Sequence, residues 1–139
     1  METVFDHEKL RAYQEALRFS GWIETLIEKL PAKLAARDQL DRASTSVVLN
    51  IAEGNGKRSH PDRCRYLDIA RGWAVECAAC LDVLVVRKKM ELSEANEGKL
   101  ILVAVVSLIS GLIARFAPVS TSVQEDAADY RTLERPENE

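Results

Sequence analysis

The side chains best suited to redox or metal chemistry in this sequence are three cysteines and two histidines. Cys77 and Cys80 form the motif CAAC, which has the spacing of a redox pair. Redox pairs of this kind usually lie at the start of a helix that follows a strand, whereas this pair lies in an apolar stripe with helical spacing. We therefore interpret both cysteines as small side chains of a hydrophobic core.

A metal site is the second chemistry that these residue types suggest. His60, Cys64, Cys77 and Cys80 are potential zinc ligands, but one predicted helix carries them all. Cys64 and Cys77 are thirteen residues apart, which is about 20 Å of helical rise, too far for ligands of one ion. Neither His60 nor His7 has the Glu-x-x-His spacing of di-iron bundles. We predict no metal and no cofactor.

Catalytic motifs are the third possibility that we searched. The stretch EGNGKRS follows no predicted strand and differs from a phosphate-binding loop, and no serine has the sequence context of a nucleophile elbow. We therefore predict that the protein is not an enzyme.

Positive charge is concentrated between Gly56 and Gly72. Two aspartates lie there beside five bases, which are Lys57, Arg58, Arg63, Arg65 and Arg71. Such side chains near a helix N-terminus can hold phosphates, and Tyr66 is suited to stacking on a base of single-stranded RNA. These five residues are our candidates for binding RNA or DNA. The alternative is that the cations are solvated or paired with nearby aspartates.

The apolar spacing predicts the elements that would position this cluster. Stripes at three- and four-residue intervals indicate four long helices joined by short loops. We expect them from an Asp6 cap to before Pro31, from about Asp38 to Glu53, from a Ser59 cap to Arg87–Lys89, and from a Ser93 cap to before Pro118. The predicted fold is all-α, an antiparallel up-down four-helix bundle over 1–117, with a loose acidic tail over 118–139. Gly54 and Gly56 fit a left-handed helix end.

The fourth predicted helix is more apolar than a bundle surface requires. Twelve of the fifteen residues from Leu100 to Ala114 are apolar, and Lys99 and Arg115 make this run shorter than the about 20 residues of a membrane span. We predict no membrane association and, instead, a homo-oligomer. The candidate interface residues are Trp73, Leu102, Val105, Val106, Ile109 and Ile113.

Charge and cysteine content indicate the compartment. Residues 117–139 carry −4 and the whole chain −3, so residues 1–116 carry +1. The sequence shows no secretory signal, and three unevenly spaced cysteines do not form a disulfide framework. We predict a cytoplasmic protein.

Several motifs carry a family resemblance over roughly residues 4–116. They are FDHEKLRAYQEALRF, Asp38-Gln39, Arg42-Ala43, NIAEG at 50–54, the basic turn after it, IARG at 69–72, and Glu76 followed by Leu81. Together they resemble the bacterial four-helix-bundle family encoded in intervening sequences of 23S rRNA genes. The resemblance implies a ring-forming oligomer, typically a pentamer, and no catalytic residue. It gives a structural role to Asn50, Glu53, Gly54, Gly56 and Glu76.

The same resemblance bears on partners. A related group assists reverse transcriptases of diversity-generating retroelements and binds both the enzyme and nucleic acid. This chain departs from the family pattern at Val48, where many members have proline, and at Trp73, where many have serine. For the two glutamates we expect ion pairs or hydrogen bonds, with Arg42, Arg65 or Arg71 as partners.

The function predicted from the sequence is therefore a non-enzymatic, homo-oligomeric four-helix module. It would bind nucleic acid, or a nucleic-acid enzyme such as a reverse transcriptase, through the basic turn between helices two and three. The alternative is a structural or protein-interaction scaffold that does not bind nucleic acid.

Overall fold

A computed structural model describes residues 4–118 of the chain. Within this range four α-helices follow a short 3-10 turn, Asp6–Lys9: α1 (Arg11–Ile27), α2 (Ala35–Asn55), α3 (His60–Val86) and α4 (Leu92–Phe116). Consecutive helices pack together, and α1 also packs against α4, which closes the bundle. The predicted all-α four-helix bundle is confirmed. The predicted tail lies outside the described residues, apart from Pro118.

The first helix is shorter at both ends than the sequence predicts. Leu10 has an extended backbone, with φ −72° and ψ 129°, between the 3-10 turn and α1. The prediction of one continuous helix from Asp6 is therefore wrong. At its other end α1 stops at Ile27, and Leu30 N donates to the Ile27 carbonyl in the turn that follows. This turn, and not Pro31, ends the helix.

The end of α2 corrects the predicted role of its glycines. Gly56 has a φ of −83° and Gly54 lies inside the helix, so the prediction of a left-handed glycine here is wrong. The non-glycine residue with a left-handed backbone among residues 4–118 is Lys88, with φ 60°, just after α3. Its neighbour Lys89 donates its backbone N–H to the Leu84 carbonyl at 2.8 Å, which closes the end of α3.

Of the two predicted serine caps, one is confirmed. The Ser59 hydroxyl oxygen accepts the backbone N–H of Asp62 at 3.2 Å, and Pro61 occupies the first turn of α3. Ser93 lies within α4, which begins at Leu92, so its predicted cap is wrong.

The bundle core follows the predicted stripe of α3. All six of its members are buried, namely Leu67, Ala70, Ala74, Cys77, Leu81 and Leu84. In α1 the three- and four-residue spacing marks Leu17 as a stripe residue and Phe19 only as its edge, yet Leu17 is exposed and Phe19 is buried. The buried face of α1 is centred nearer to Phe19 than the spacing predicts, since Ala12 and Ala16, which the spacing did not mark, are also buried.

Two glycines set how closely the helices approach. A Cβ on Gly54 would lie 2.9 Å from the Cβ of Tyr66, so α2 and α3 are too close there for any larger residue. A Cβ on Gly98 would lie 2.5 Å from the ring of Trp22, which inserts from α1 against α4. The absence of a side chain, rather than a special backbone angle, explains both glycines.

The α4 helix is apolar on more than one side. Ile101, Val105 and Ile109 are buried in the core, whereas Leu100 and Val103 are 73% and 62% exposed. By length and composition alone α4 is long and apolar enough to cross a membrane, and it is the one such helix among residues 4–118. In the structure it is the fourth helix of the bundle, and 22% of its most apolar 18-residue window is buried.

Candidate nucleic-acid interface

The antiparallel topology places the α2–α3 turn beside the last turn of α4. Lys57 and Arg58 lie in the turn, and Arg63 lies at the start of α3. The aromatic and guanidinium groups of these elements contact one another. We call the following residues the basic end: Lys57, Arg58, Arg63, Arg65, Tyr66, Arg115 and Phe116.

Phe116 joins α4 to α3 within the basic end. The guanidinium carbon of Arg63 lies 5.0 Å from the centre of the Phe116 ring, and that of Arg115 lies 5.9 Å from it. The His60 ring is 5.1 Å away from the same ring. Arg63 also donates its Nε–H to the Lys57 carbonyl at 2.8 Å. Arg63 is therefore a structural link as well as a cation.

Two further cations of the basic end lie over the Tyr66 ring. The Lys57 ammonium lies 4.7 Å and the Arg65 guanidinium 4.9 Å from the centre of its ring. The close contact with Gly54 fixes the position of the Tyr66 Cβ. A nucleic-acid base that stacks on this ring would replace one of the two cations.

The cations of the basic end differ in how well they are neutralised. Lys57 is 3.8 Å from a Glu53 oxygen, and Arg65 is 3.7 Å from an Asp62 oxygen, close to the limit for an ion pair. Exposed pairs of this kind contribute little free energy. Among residues 4–118, Arg58, Arg63 and Arg115 have no carboxylate oxygen within 4.0 Å. Of these cations Arg65 is paired with an aspartate, as the alternative predicts, and the solvation of the others stays part of that alternative.

Arg71 does not belong to this group. It lies six residues after Arg65, about 9 Å further along the helix axis. Its guanidinium is 2.8 Å from Asp68 and donates to the Ser110 hydroxyl at 3.2 Å, so it bridges α3 and α4. The structure thus brings four of the five predicted cations together. Sequence reasoning missed Arg115 and Phe116, although an antiparallel α4 necessarily ends beside the start of α3.

Comparison with known proteins gives this bundle a family. The profile described as 23S rRNA-intervening sequence protein matches residues 8–111. The chain belongs to this family. A crystal structure of a protein with unknown function from the S23 ribosomal protein family of Bacteroides thetaiotaomicron superposes with a TM-score of 0.69. It is 22% identical, and the match covers 73% of this chain and 97% of that one, which shows the fold alone. No curated protein matches the chain.

Two glutamates of the family motifs form the predicted kinds of contact, a hydrogen bond and an ion pair, but with other partners. Glu76 accepts a hydrogen bond from Gln39 Nε2 at 2.7 Å, which links α3 to α2. Glu53 is exposed and lies near Lys57. Within residues 4–118 neither glutamate pairs with an arginine, so the predicted partners Arg42, Arg65 and Arg71 are wrong. The i,i+4 spacing from Glu53 to Lys57 was the signal for the second contact.

Asn50, in the same family motif, bonds within its own helix. Its side-chain amide donates to the Ser46 carbonyl at 2.8 Å. With the tight packing at Gly54 and the helix end at Gly56, the NIAEG segment shapes the end of α2 and carries no reactive group.

A second surface of this family member is an apolar groove between α3 and α4. Lys99 forms an ion pair with Asp82 across one end of it, and Arg71 reaches Ser110 beyond the other. We call this surface the apolar groove. Its apolar lining residues are Ala74, Val75, Ala78, Leu102, Val103 and Val106. Val75 and Val103 are more than half exposed.

The candidate interface residues only partly coincide with this groove. Val105 and Ile109 are fully buried in the core of their own chain, so their assignment to a subunit surface is corrected, whereas Leu102, 3% exposed, lies at the floor of the groove. Val106 lines the groove. Trp73 and Ile113 are half-buried and lie elsewhere. The exposed apolar side chains that the sequence analysis missed include Leu100, Val103 and Val75.

The three cysteines are free thiols, two of them buried. Burial, with smaller effects of Cys80 and Glu76, raises the pKa of the Cys77 thiol to about 12. Burial also raises the pKa of Cys80 and of Cys64. These thiols remain protonated at neutral pH, and in the part of the chain from residue 4 to 118 no group of three potential metal ligands converges.

Proposed function

We propose that this protein is a non-enzymatic four-helix module that assembles with copies of itself and binds single-stranded nucleic acid through the basic end. One observation supports the proposal most directly. Arg58, Arg63 and Arg115 come from different segments of the chain, meet at one end of the bundle, and have no carboxylate partner among residues 4–118.

The chemistry of these groups favours phosphate. A guanidinium presents a planar fork of donors that fits phosphate oxygens. The start of α3 adds the partial positive charge of a helix N-terminus, although the Ser59 side chain already occupies one of its N–H groups. The rings of Tyr66 and Phe116 add aromatic surface on which bases of a single strand stack.

Assembly is part of the proposal because one copy carries little charge. Residues 1–116 have a net charge of only +1, which gives weak attraction for a polyanion. Copies joined through the apolar groove would present several basic ends to one strand and raise the local positive potential. The family resemblance implies a ring of five, and light scattering would show it as a multiple of 15.5 kDa.

The test is a charge-reversed variant, R58E/R65E/R115E, in full-length protein. Arg63 is left unchanged because its Nε–H supports the turn. Loss of three phosphate contacts should weaken binding of a labelled oligoribonucleotide on the order of 100-fold at low salt, and wild-type binding should fall as salt rises.

The matched control is K29E/K33E/R87E, which changes three exposed cations at the opposite end of the bundle. This variant has the same net charge as R58E/R65E/R115E. It should therefore retain most of the affinity for RNA if binding depends on where the cations lie and not on net charge alone. Equal losses in both variants, with unchanged helical content and mass, would show that the basic end is not the binding surface.

A protein-interaction scaffold that does not bind nucleic acid is the second candidate function, and the apolar groove favours it. Such a scaffold would recognise a protein partner, for which the family resemblance suggests a reverse transcriptase. No gel shift with RNA or DNA at low salt, together with partner binding that is lost in Val103→Glu, would support this candidate over the first.

A further inference from the structure

The described part of α4 ends inside the basic end. Phe116 is its last residue, and a further 23 residues follow it in the sequence. Residues 119–139, which we call the acidic tail, hold six carboxylates and two arginines, a net charge of −4. The most acidic segment of the chain is therefore attached directly to its most basic surface.

We propose that the acidic tail binds the basic end of its own chain and competes there with nucleic-acid phosphates. The second part of this inference rests on the proposed function. The tail carboxylates would act as intramolecular substitutes for phosphate groups at Arg58, Arg63 and Arg115. Nucleic acid must then displace the tail before it reaches these side chains.

The chain length makes this contact geometrically easy. Glu125, the first acidic residue of the tail, follows Phe116 by nine residues. Nine residues span at most about 32 Å. Arg63 and Arg115 already lie 5.0 and 5.9 Å from the Phe116 ring, so the tail carboxylates begin within reach of both.

The balance of charges favours a weak, reversible contact. Exposed carboxylate–arginine pairs contribute little individually. Attachment to α4, however, gives the tail an effective concentration in the millimolar range at the basic end. A long polyanion offers more charges than the tail and can displace it, whereas a short oligonucleotide competes poorly.

The first experiment compares two full-length tail variants with wild type. The neutral-tail variant is E125Q/D126N/D129N/E134Q/E137Q/E139Q, and its opposite is R131Q/R135Q, which makes the tail more acidic. Fluorescence anisotropy with a labelled single-stranded oligoribonucleotide in 50 mM salt should show about 10-fold tighter binding by the neutral tail. The R131Q/R135Q variant should bind a few-fold more weakly. Equal affinities of all three proteins would overturn the competition.

A second measurement tests tail binding without any nucleic acid. Amide 1H–15N spectra of wild type and the neutral-tail variant should differ at residues 57–65 and at Arg115, and the differences should vanish in about 0.5 M salt. Identical spectra, or differences confined to another surface, would overturn the inference. If the spectra differ as expected but no variant binds RNA or DNA, the tail contact is correct and the proposed function is wrong. If all three proteins bind RNA equally well and the spectra are identical, the proposed function is correct and the tail contact is wrong.

Discussion

The basic end and the apolar groove both use α3 and α4, the basic end together with the α2–α3 turn, but they are built in opposite ways. The basic end depends on directional contacts, such as the Arg63 bond to the Lys57 carbonyl and the rings of Tyr66 and Phe116. The groove is lined by apolar side chains, of which Val75 and Val103 remain exposed while Ala74 and Leu102 also belong to the core. The first surface is therefore suited to charged ligands, and the second to another apolar surface.

The largest expected effect comes from placing a charge in the groove. In Val103→Glu, association through this surface would bury an unpaired carboxylate, at a cost of about 3–5 kcal/mol, and the proposed assembly should dissociate to single chains of 15.5 kDa. Thr45→Glu, at an exposed position of α2, is the control and should leave the mass unchanged. Light scattering distinguishes them. If Thr45→Glu dissociates the assembly and Val103→Glu does not, self-association uses α2, and the role given to the apolar groove is wrong.

The next effect concerns the geometry of the basic end. Gly54→Ala would place its Cβ 2.9 Å from the Cβ of Tyr66, so α3 must shift, and the free energy of unfolding should fall by about 1–3 kcal/mol. Gly72→Ala is the matched control, since nothing lies within 4 Å of its Cβ and alanine favours helix by up to about 1 kcal/mol. Urea denaturation measures both. Similar stability of the two variants would show that the basic end tolerates a looser helix contact.

A smaller, pH-dependent effect tests the core behind the groove, where Cys77 precedes the groove residue Ala78. Burial raises the pKa of Cys77 from 9.0 to about 12, so the stability that its protonated form contributes is complete below pH 9 and is lost as the pH rises towards 12. Between pH 8 and pH 10, wild type should lose about 1.4 kcal/mol more than Cys77→Ala. Identical pH dependence in urea titrations would mean that solvent reaches this thiol through the groove.

The smallest effect separates a true helix cap from an apparent one. Ser59→Ala removes the hydroxyl that accepts the Asp62 N–H at the edge of the basic end, which should cost about 1 kcal/mol. Ser93→Ala, in the first turn of α4 beyond the groove, removes no cap bond and should be nearly neutral. Thermal unfolding measures the difference, and a larger loss in Ser93→Ala would contradict the assigned start of α4.

The sequence was most informative where one physical effect dominates. The three- and four-residue spacing in α3 identified all six of its buried stripe residues, because a helix must bury its apolar face. The spacing failed in α4, where nearly every position is apolar and the pattern does not distinguish the inward from the outward side. Val105 and Ile109 were therefore assigned to an interface although they fill the core.

Residue type alone also left the role of Gly54 ambiguous. Glycine is used for left-handed backbone and for close approach, and only the position of Tyr66 decides between them. The same limit applies to charge. The cluster from Lys57 to Arg71 looked continuous in sequence, but Arg71 lies six residues beyond Arg65 along the helix. Arg115 and Phe116 join the cluster from a distant part of the chain.

By itself the sequence determined the helices, their order, the family and the segment that is rich in cations. Each depends on local spacing or composition, which helix geometry converts directly into structure. Only the tertiary structure decided which side of α4 faces the core, which glycine allows helix contact and which arginines lack a carboxylate partner among residues 4–118. These outcomes depend on distances between residues far apart in the chain, and such distances are fixed only when the four helices pack together.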